Sequence, residues 1–363
     1  MQIMLGIKPE KQGNSEQLPG NSIPTGRARL DGRVAPKYAF AVAMLLTGLW
    51  LMACSPGNEV KRDDTITVGM EATAVNSLIY IAQENKYFAD NGIRVVIKDD
   101  YPSGAAATEG MLSGEVDIAT TAELAIVRYA FAGTEVRTLG SIDMFMHMKL
   151  IGRKDRGITN ISDLEGKKIG VPVKTAADFK LGRFLDLNNI DKARITIVDV
   201  QAPHAVNSLM QGDVDALVTW QPNVMDIEDQ LGENAVVWEV QSGQPMYCVL
   251  MTTEKWVAEY PELGERFMKS LFLAENFLIE NNEKARAIVQ QRLGYDDRYI
   301  RTIWSEHQFS LRLDQSLILA MEDQARWMIE NGLTEEHNVP DLLSYLHAGS
   351  LEAVKPEAVF LIR

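Results

Sequence analysis

An eight-residue pattern occurs twice in this chain: Leu112-Ser-Gly-Glu-Val-Asp-Ile-Ala119 and Met210-Gln-Gly-Asp-Val-Asp-Ala-Leu217 match in form. In each copy a helix ends, a glycine (Gly114 or Gly212) takes the left-handed cap position, and an Asp opens a short buried strand. A chain that twice closes a helix and starts a strand in this way is built from alternating elements. The flanking sequence agrees. Residues 65–70, 94–98 and 116–119 have strand character, and 76–91, 105–112 and 123–131 have helical character. The same order restarts with a turn and strand over 164–171, a helix over 175–188, a strand over 195–198, a helix over 205–210 and a strand over 216–219. Elements of this size and order make βαβ units on largely parallel sheets. The fold class is α/β, and the repetition predicts two similar lobes with a cleft between them.

After residue 242 the pattern changes. One more apolar strand spans 247–251, and the remainder reads as mainly helical: 261–281, 283–292, 299–305, 315–331 and 340–346. Phe267, Leu271, Ala274 and Leu278 fall on one face at helical spacing. The aromatics Phe267, Phe272, Phe277, Trp304 and Trp327 are read as core.

The first 58 residues do not resemble the rest. A polar stretch carrying Arg27, Arg29, Arg33 and Lys37 precedes the uncharged run Tyr38-Ala-Phe-Ala-Val-Ala-Met-Leu-Leu-Thr-Gly-Leu-Trp-Leu-Met-Ala53. Basic residues before a short apolar core are the pattern of a secretory signal. A membrane-spanning helix needs a longer run, ~20 residues. Leu51-Met52-Ala53-Cys54 resembles the lipobox of bacterial lipoproteins, in which cleavage after a small residue frees a Cys whose thiol carries diacylglycerol. Each buried lipid methylene adds about 0.8 kcal/mol of membrane affinity. The expectation is a signal peptide over 1–53, lipid attachment at Cys54 and a tether over 54–64. The protein is then exported and anchored on the periplasmic or extracellular face of the cell membrane.

Charge and cysteine content exclude several classes. The formal net charge is −14, whereas nucleic-acid binding needs clustered Lys and Arg, so nucleic acid is not an expected partner. The only cysteines are Cys54 and Cys248; lipidation of the first leaves no intrachain disulfide. Cys248, within Met246-Tyr-Cys-Val-Leu-Met251, reads as a small buried hydrophobe. Neither CxxC nor HExxH occurs. The expectation is no metal and no cofactor.

Further residues carry a resemblance. Ile161-Ser-Asp-Leu-Glu-Gly-Lys-Lys-Ile-Gly-Val-Pro172, a helix start at Thr175, Gly212-Asp-Val-Asp-Ala216 and Trp220-Gln-Pro222 follow one another in order. With Ala82-Gln-Glu-Asn-Lys-Tyr-Phe-Ala-Asp-Asn-Gly-Ile-Arg-Val95 and Lys355-Pro-Glu357, this resembles the nitrate/sulfonate/taurine group of ABC-importer substrate-binding proteins over roughly residues 65–360. That group also includes binders of thiamine pyrimidine precursors. The resemblance implies a periplasmic-binding-protein fold, with lobe 1 formed by 65–152 and 246–363 and lobe 2 by 153–245. The chain would leave lobe 1 near 150–154 and return near 247–251, with the terminal helices packed on lobe 1. It also implies delivery of a captured small solute to a permease and its ATPase.

In open α/β sheets ligands sit beyond the carboxyl ends of the strands, where helix N-termini offer free N–H groups. The candidates at those positions are Glu71 and Thr73, Ser103 and Gly104, Thr120 and Thr121, Lys174 and Thr175, and Trp220 and Gln221. Thr175 and Ser103 fit two roles, plain N-caps or ligand contacts, and one residue can fill both. Trp220 fits ligand contact or a hinge, and Glu71 a ligand acceptor or a solvated charge. Converging helix starts and Lys174 favour an organic anion such as a sulfonate; Glu71 suits a zwitterion or a nitrogenous, pyrimidine-like compound. A solute-sensing module for a receptor is the binding alternative. An enzyme reading lacks a nucleophile–base pair, a metal cluster or a phosphate loop. His147 and His204 have no partner at metal spacing, while His307, His337 and His347 are placed in helical or loop stretches away from the cleft.

Overall fold

The two copies of the repeat fold alike in the structure, a computed structural model that describes residues 64–241 and 243–362. The signal segment, Cys54 and the tether up to residue 63 lie outside the described residues. Gly114 and Gly212 both have φ +79°, following the helices Gly104–Leu112 and Ala205–Gln211. Asp117 then donates its N–H to the Thr67 carbonyl at 2.9 Å. Its carboxylate accepts the Thr67 N–H and the Thr67 hydroxyl, each at 2.7 Å. In the second copy the Asp215 N–H donates to the Lys168 carbonyl at 2.8 Å, and its carboxylate accepts the Lys168 N–H at 3.0 Å. Each Asp ties the start of one parallel strand to its neighbour and thereby sets their register.

The strands are β1 (Thr65–Gly69), β2 (Arg94–Lys98), β3 (Ile118–Ala122), β4 (Val136–Phe145), β5 (Lys149–Arg153) and β6 (Lys168–Val171), then β7 (Thr196–Asp199), β8 (Ala216–Thr219), β9 (Ala235–Glu239), β10 (Met246–Thr253), β11 (His307–Asp314) and β12 (Val359–Phe360). They form a seven-stranded sheet, β12-β11-β4-β10-β3-β1-β2, and a five-stranded sheet, β7-β6-β8-β5-β9. β2, β1 and β3 are parallel, as are β7, β6 and β8. Antiparallel β10 lies beside β3, and antiparallel β5 beside β8. β4 pairs with the other side of β10, and β9 with the other side of β5. β10 and β5 are thus each the strand that has just arrived from the other sheet. Both sheets belong to one compact unit, Arg62–Arg363.

Several elements differ from the sequence reading. The chain passes between sheets at 146–148, earlier than 150–154, because β5 is already paired with β8 and β9. The helix expected over 76–91 is interrupted: Lys86 adopts φ +62° between the helices Ser77–Glu84 and Tyr87–Asp90. The third strand begins at Ile118, so Thr120 and Thr121 lie inside β3 and do not follow it. The segment 340–346 holds only a 3-10 turn, Leu342–Tyr345. β4, β5, β9, β11 and β12 are not among the strands expected from the sequence, and β11 places His307 in a strand paired with β4.

The helix Pro261–Glu280 packs as its spacing predicts: Phe267, Leu271 and Ala274 are fully buried and Leu278 is 7% exposed. Burying each such side chain stabilises by roughly 1.5–3 kcal/mol for the larger ones. Phe267, Trp304 and Trp327 are core residues, and Phe272 and Phe277 pack against the core.

The Asp links can be tested directly. Asp117→Ala leaves the Thr67 N–H and hydroxyl without their acceptor and is expected to lower unfolding stability by about 1–3 kcal/mol. Thr67→Val, which removes the two hydrogen bonds of the hydroxyl with Asp117 and keeps the backbone ones, should cost less in the same urea titration.

Candidate functional site

The carboxyl ends of the parallel strands of both sheets open onto one cavity of about 1100 Å³. Two of its polar walls are built at helix starts. Ser103 caps the helix Gly104–Leu112, its hydroxyl accepting the Ala106 N–H at 3.2 Å. From the other sheet, Thr175 caps the helix Ala176–Leu187: its hydroxyl accepts the Ala177 N–H at 3.2 Å and donates to the Pro172 carbonyl at 2.6 Å. The first-turn N–H groups of both helices have no intrahelical acceptor and carry the positive ends of the helix dipoles. Thr120 and Thr121 sit on β3, paired in register with Leu250 and Val249 of antiparallel β10. Gly104 is required there by closeness of approach. A Cβ at residue 104 would lie 2.8 Å from Thr121 Cα and 3.0 Å from the Thr120 carbonyl oxygen.

Thr73 and Glu71 follow β1. The Thr73 hydroxyl is buried with no hydrogen-bond partner. The Glu71 carbonyl accepts from the Asn76 side chain at 2.8 Å. The Glu71 side chain remains open to solvent at the cavity wall, yet partial enclosure desolvates its carboxyl and pushes it above the usual range.

The opposite end is aromatic and lies where the chain crosses between sheets. His147 is in the first crossing, 4.5 Å from the Phe145 ring and stacked on Trp220 at 6.4 Å. The His307 ring lies 6.3 Å from that of His147. His307 Nδ1 is 2.5 Å from a carboxylate oxygen of Asp143, which is fully buried and also accepts the Gln308 N–H at 3.1 Å. Burial, the neighbouring His307 and Lys149 lower His147 from 6.5 to about 3, so its ring is neutral at physiological pH. The buried Gln241 side chain joins the second crossing to the first: its oxygen accepts the Met148 N–H at 2.9 Å and its nitrogen donates to the Phe145 carbonyl at 2.8 Å. Tyr295 and Tyr299, edge to face at 4.6 Å, form a further wall.

Of the candidates read from the sequence, Glu71, Thr73, Ser103, Gly104, Thr120, Thr121, Thr175, Trp220 and Gln221 all line this cavity. Gln221 accepts the Met225 N–H at 3.2 Å. Lys174 is not among the lining residues. It adopts φ +61°, its side chain is exposed, and its N–H donates to Asp178 at 2.8 Å. Its carbonyl instead accepts from Arg128 at 2.6 Å, and Arg128 does line the cavity. His307 corrects the sequence reading: it is part of the cavity wall, brought there by β11 pairing with β4. The alternation of buried Phe309, Leu311 and Leu313 along β11 was the available signal. His147, Glu306, Tyr295 and Tyr299 were also missed, because each lies in a connection or at the start of an element. Cys248 is buried at the cavity wall, and desolvation raises its thiol well above the ordinary range. Among the described residues, no group of three or more His, Cys, Asp and Glu side chains is placed to hold a metal, and no helix is long and apolar enough to cross a membrane.

Comparison with known proteins places this geometry. The sequence profile of the family described as "NMT1/THI5 like" matches residues 74–285. The taurine-binding periplasmic protein of Escherichia coli is 26% identical over 226 residues, covering 60% of this chain and 67% of that protein. The formylaminopyrimidine-binding protein of Halalkalibacterium halodurans is 22% identical over 255 residues, covering 67% and 76%. The structure of the periplasmic aliphatic sulphonate binding protein of Escherichia coli superposes with a TM-score of 0.66 at 14% identity, covering 77% of this chain and 96% of that one. The fold is accordingly that of the periplasmic binding proteins.

Two outcomes follow from the wall geometry. Gly104→Ala forces the helix start away from β3, an overpacking cost of about 1–3 kcal/mol, seen as a lowered urea midpoint. For His147, the unfolded chain takes up a proton near pH 6.5 that the folded chain refuses until about 3. Folded stability therefore falls as pH drops through that window. Between those limits the urea midpoint of His147→Phe should fall less steeply with acid than that of the unaltered protein.

Proposed function

The chain belongs to the NMT1/THI5-like family, and from that premise we propose that it is the extracytoplasmic solute-binding component of an ABC importer. It captures a small organic anion or zwitterion, such as a sulfonate, between the two sheets and hands it to a permease driven by an ATPase. The observation that carries this reading is the meeting of two helix N-termini from opposite sheets at one cavity, beside the unpartnered Thr73 hydroxyl. Free N–H groups and dipoles stabilise an anion there without needing a lysine. Arg128 takes the part expected of Lys174, since its guanidinium lines the cavity and its bond to the Lys174 carbonyl leaves further N–H donors.

Residues 65–145 with 246–362 act as one lobe and 149–239 as the other, closing around solute by hinge motion at the two crossings. Bidentate pairing of Arg298 with Asp229, at 2.7 and 2.8 Å, supports a closed arrangement, because it links the helices Asp297–Trp304 and Asn223–Leu231 from the two lobes. Export through the 1–53 signal and lipidation at Cys54 would hold the protein on the periplasmic or extracellular face of the cell membrane. The role is binding without chemistry: the Cys248 thiol stays protonated, and His307 is committed to Asp143.

A thermal-shift titration with taurine, ethanesulfonate, other alkanesulfonates and nitrate tests the reading. A solute at 100 times its Kd adds about 2.7 kcal/mol of stability. At least one sulfonate is expected to shift the wild-type protein, with affinity lost in Trp220→Ala and reduced in Thr73→Val. A folded protein indifferent to every anion in the panel would refute the anion assignment.

A further inference from the structure

The aromatic end of the cavity contains a carboxylate that the fold leaves unfinished. Glu306 immediately precedes β11, and its backbone carbonyl accepts the Met146 N–H at 3.0 Å, which fixes it against the first crossing. Its side chain lines the cavity and is only 13% exposed. One oxygen, Oε1, lies 3.4 Å from Lys149 Nζ, but that ammonium is already held at 2.6 Å by Glu239. The other, Oε2, is buried and has no hydrogen-bond partner. A buried carboxylate oxygen without a donor is unfavourable and rare in folded proteins.

No neighbouring side chain donates to Oε2 in the structure. Asp143 and His307 are bonded to each other. His147 is wedged among the rings of Phe145, Trp220 and His307. Desolvation raises the Glu306 carboxyl, which Lys149 partly opposes. The walls here include the rings of Phe145, His147, Trp220 and His307, and a cavity of about 1100 Å³ has room for far more than a bare anionic head.

We propose that this end is a second subsite, in which Glu306 Oε2 accepts an N–H from an amino group on an unsaturated tail of the solute and Trp220 packs against that tail. This rests on the anion-binding reading above and narrows it: the solute is bifunctional, with an anionic head at the helix N-termini and an N–H donor at the crossing end. The same site would discriminate against unsubstituted sulfonates, because they leave Oε2 unpaired on binding.

Calorimetric titration of the full chain with benzenesulfonate and with its 3- and 4-amino derivatives separates these ideas. The ligands share head and ring and differ only in the amino group. At least one amino isomer is expected to bind about tenfold more tightly than benzenesulfonate, equivalent to about 1.4 kcal/mol. That preference should vanish in Glu306→Met and shrink in Glu306→Gln, which keeps the side-chain shape should the first variant fold poorly. Equal affinities in the unaltered protein, or a preference that survives in a folded Glu306→Met, would overturn the subsite while leaving anion capture intact. Binding of none of the three removes the subsite; whether anion capture also falls is then decided by the alkanesulfonate panel.

Discussion

The side chain of Gln241 holds together the part of the molecule on which everything else depends. Two sheets that exchange a strand need two crossings, and crossings are irregular backbone whose polar groups must find partners. Gln241, fully buried, satisfies a carbonyl and an N–H on either side of the first crossing while itself belonging to the second. The amide is suited to this because it donates and accepts at once. With the crossings fixed side by side, His147 is presented to the cavity and Glu306 is tied to the backbone of Met146. The cavity is therefore a consequence of the crossing geometry.

A second buried polar group reinforces the junction. Glu123 is fully enclosed and accepts the Tyr247 N–H at 2.9 Å and the Gln324 amide at 2.7 Å. Lys180, from the helix Ala176–Leu187 beside the other sheet, is also fully buried and donates to the carbonyl and side chain of Gln244, each at 2.9 Å. Burial lowers Lys180 to about 8, and the attraction of Glu123 opposes that shift. Burial raises Glu123, with Lys180 the largest opposing influence. Buried charges of this kind add little net stability, since desolvation offsets their attraction. Their effect is geometric: a buried lysine must reach its acceptors, which limits how the helix Ala176–Leu187 and its capping Thr175 sit over the cavity.

The cavity itself is built with few free permanent charges. His147 is neutral, Cys248 stays protonated, Asp143 is paired with His307, and Asp229 with Arg298. What remains is a set of backbone dipoles, hydroxyls and ring faces, with Arg128, Glu71, Asp226, Asp296 and Glu306 as exceptions. Such walls recognise charge and shape together, and they set Glu306 at the crossing end, apart from the helix N-termini.

The sequence by itself determined the α/β alternation, the doubled lobe plan and most of the polar wall. Those features are local: a glycine that enters the left-handed region, an Asp that opens a strand, and a Ser or Thr before a helix each act within a few residues. Thr73, Ser103, Gly104, Thr175 and Trp220 were legible because each stands just after a strand or at a helix start, whereas Thr120 and Thr121, read as following β3, lie inside it. The tertiary structure alone decided the other half. His307 reaches the cavity because β11 pairs with β4, and Glu306 through a backbone bond to Met146. Lys174 turns outward while Arg128 lines the wall. These outcomes depend on pairings between residues far apart in the chain, and no window of sequence contains both partners.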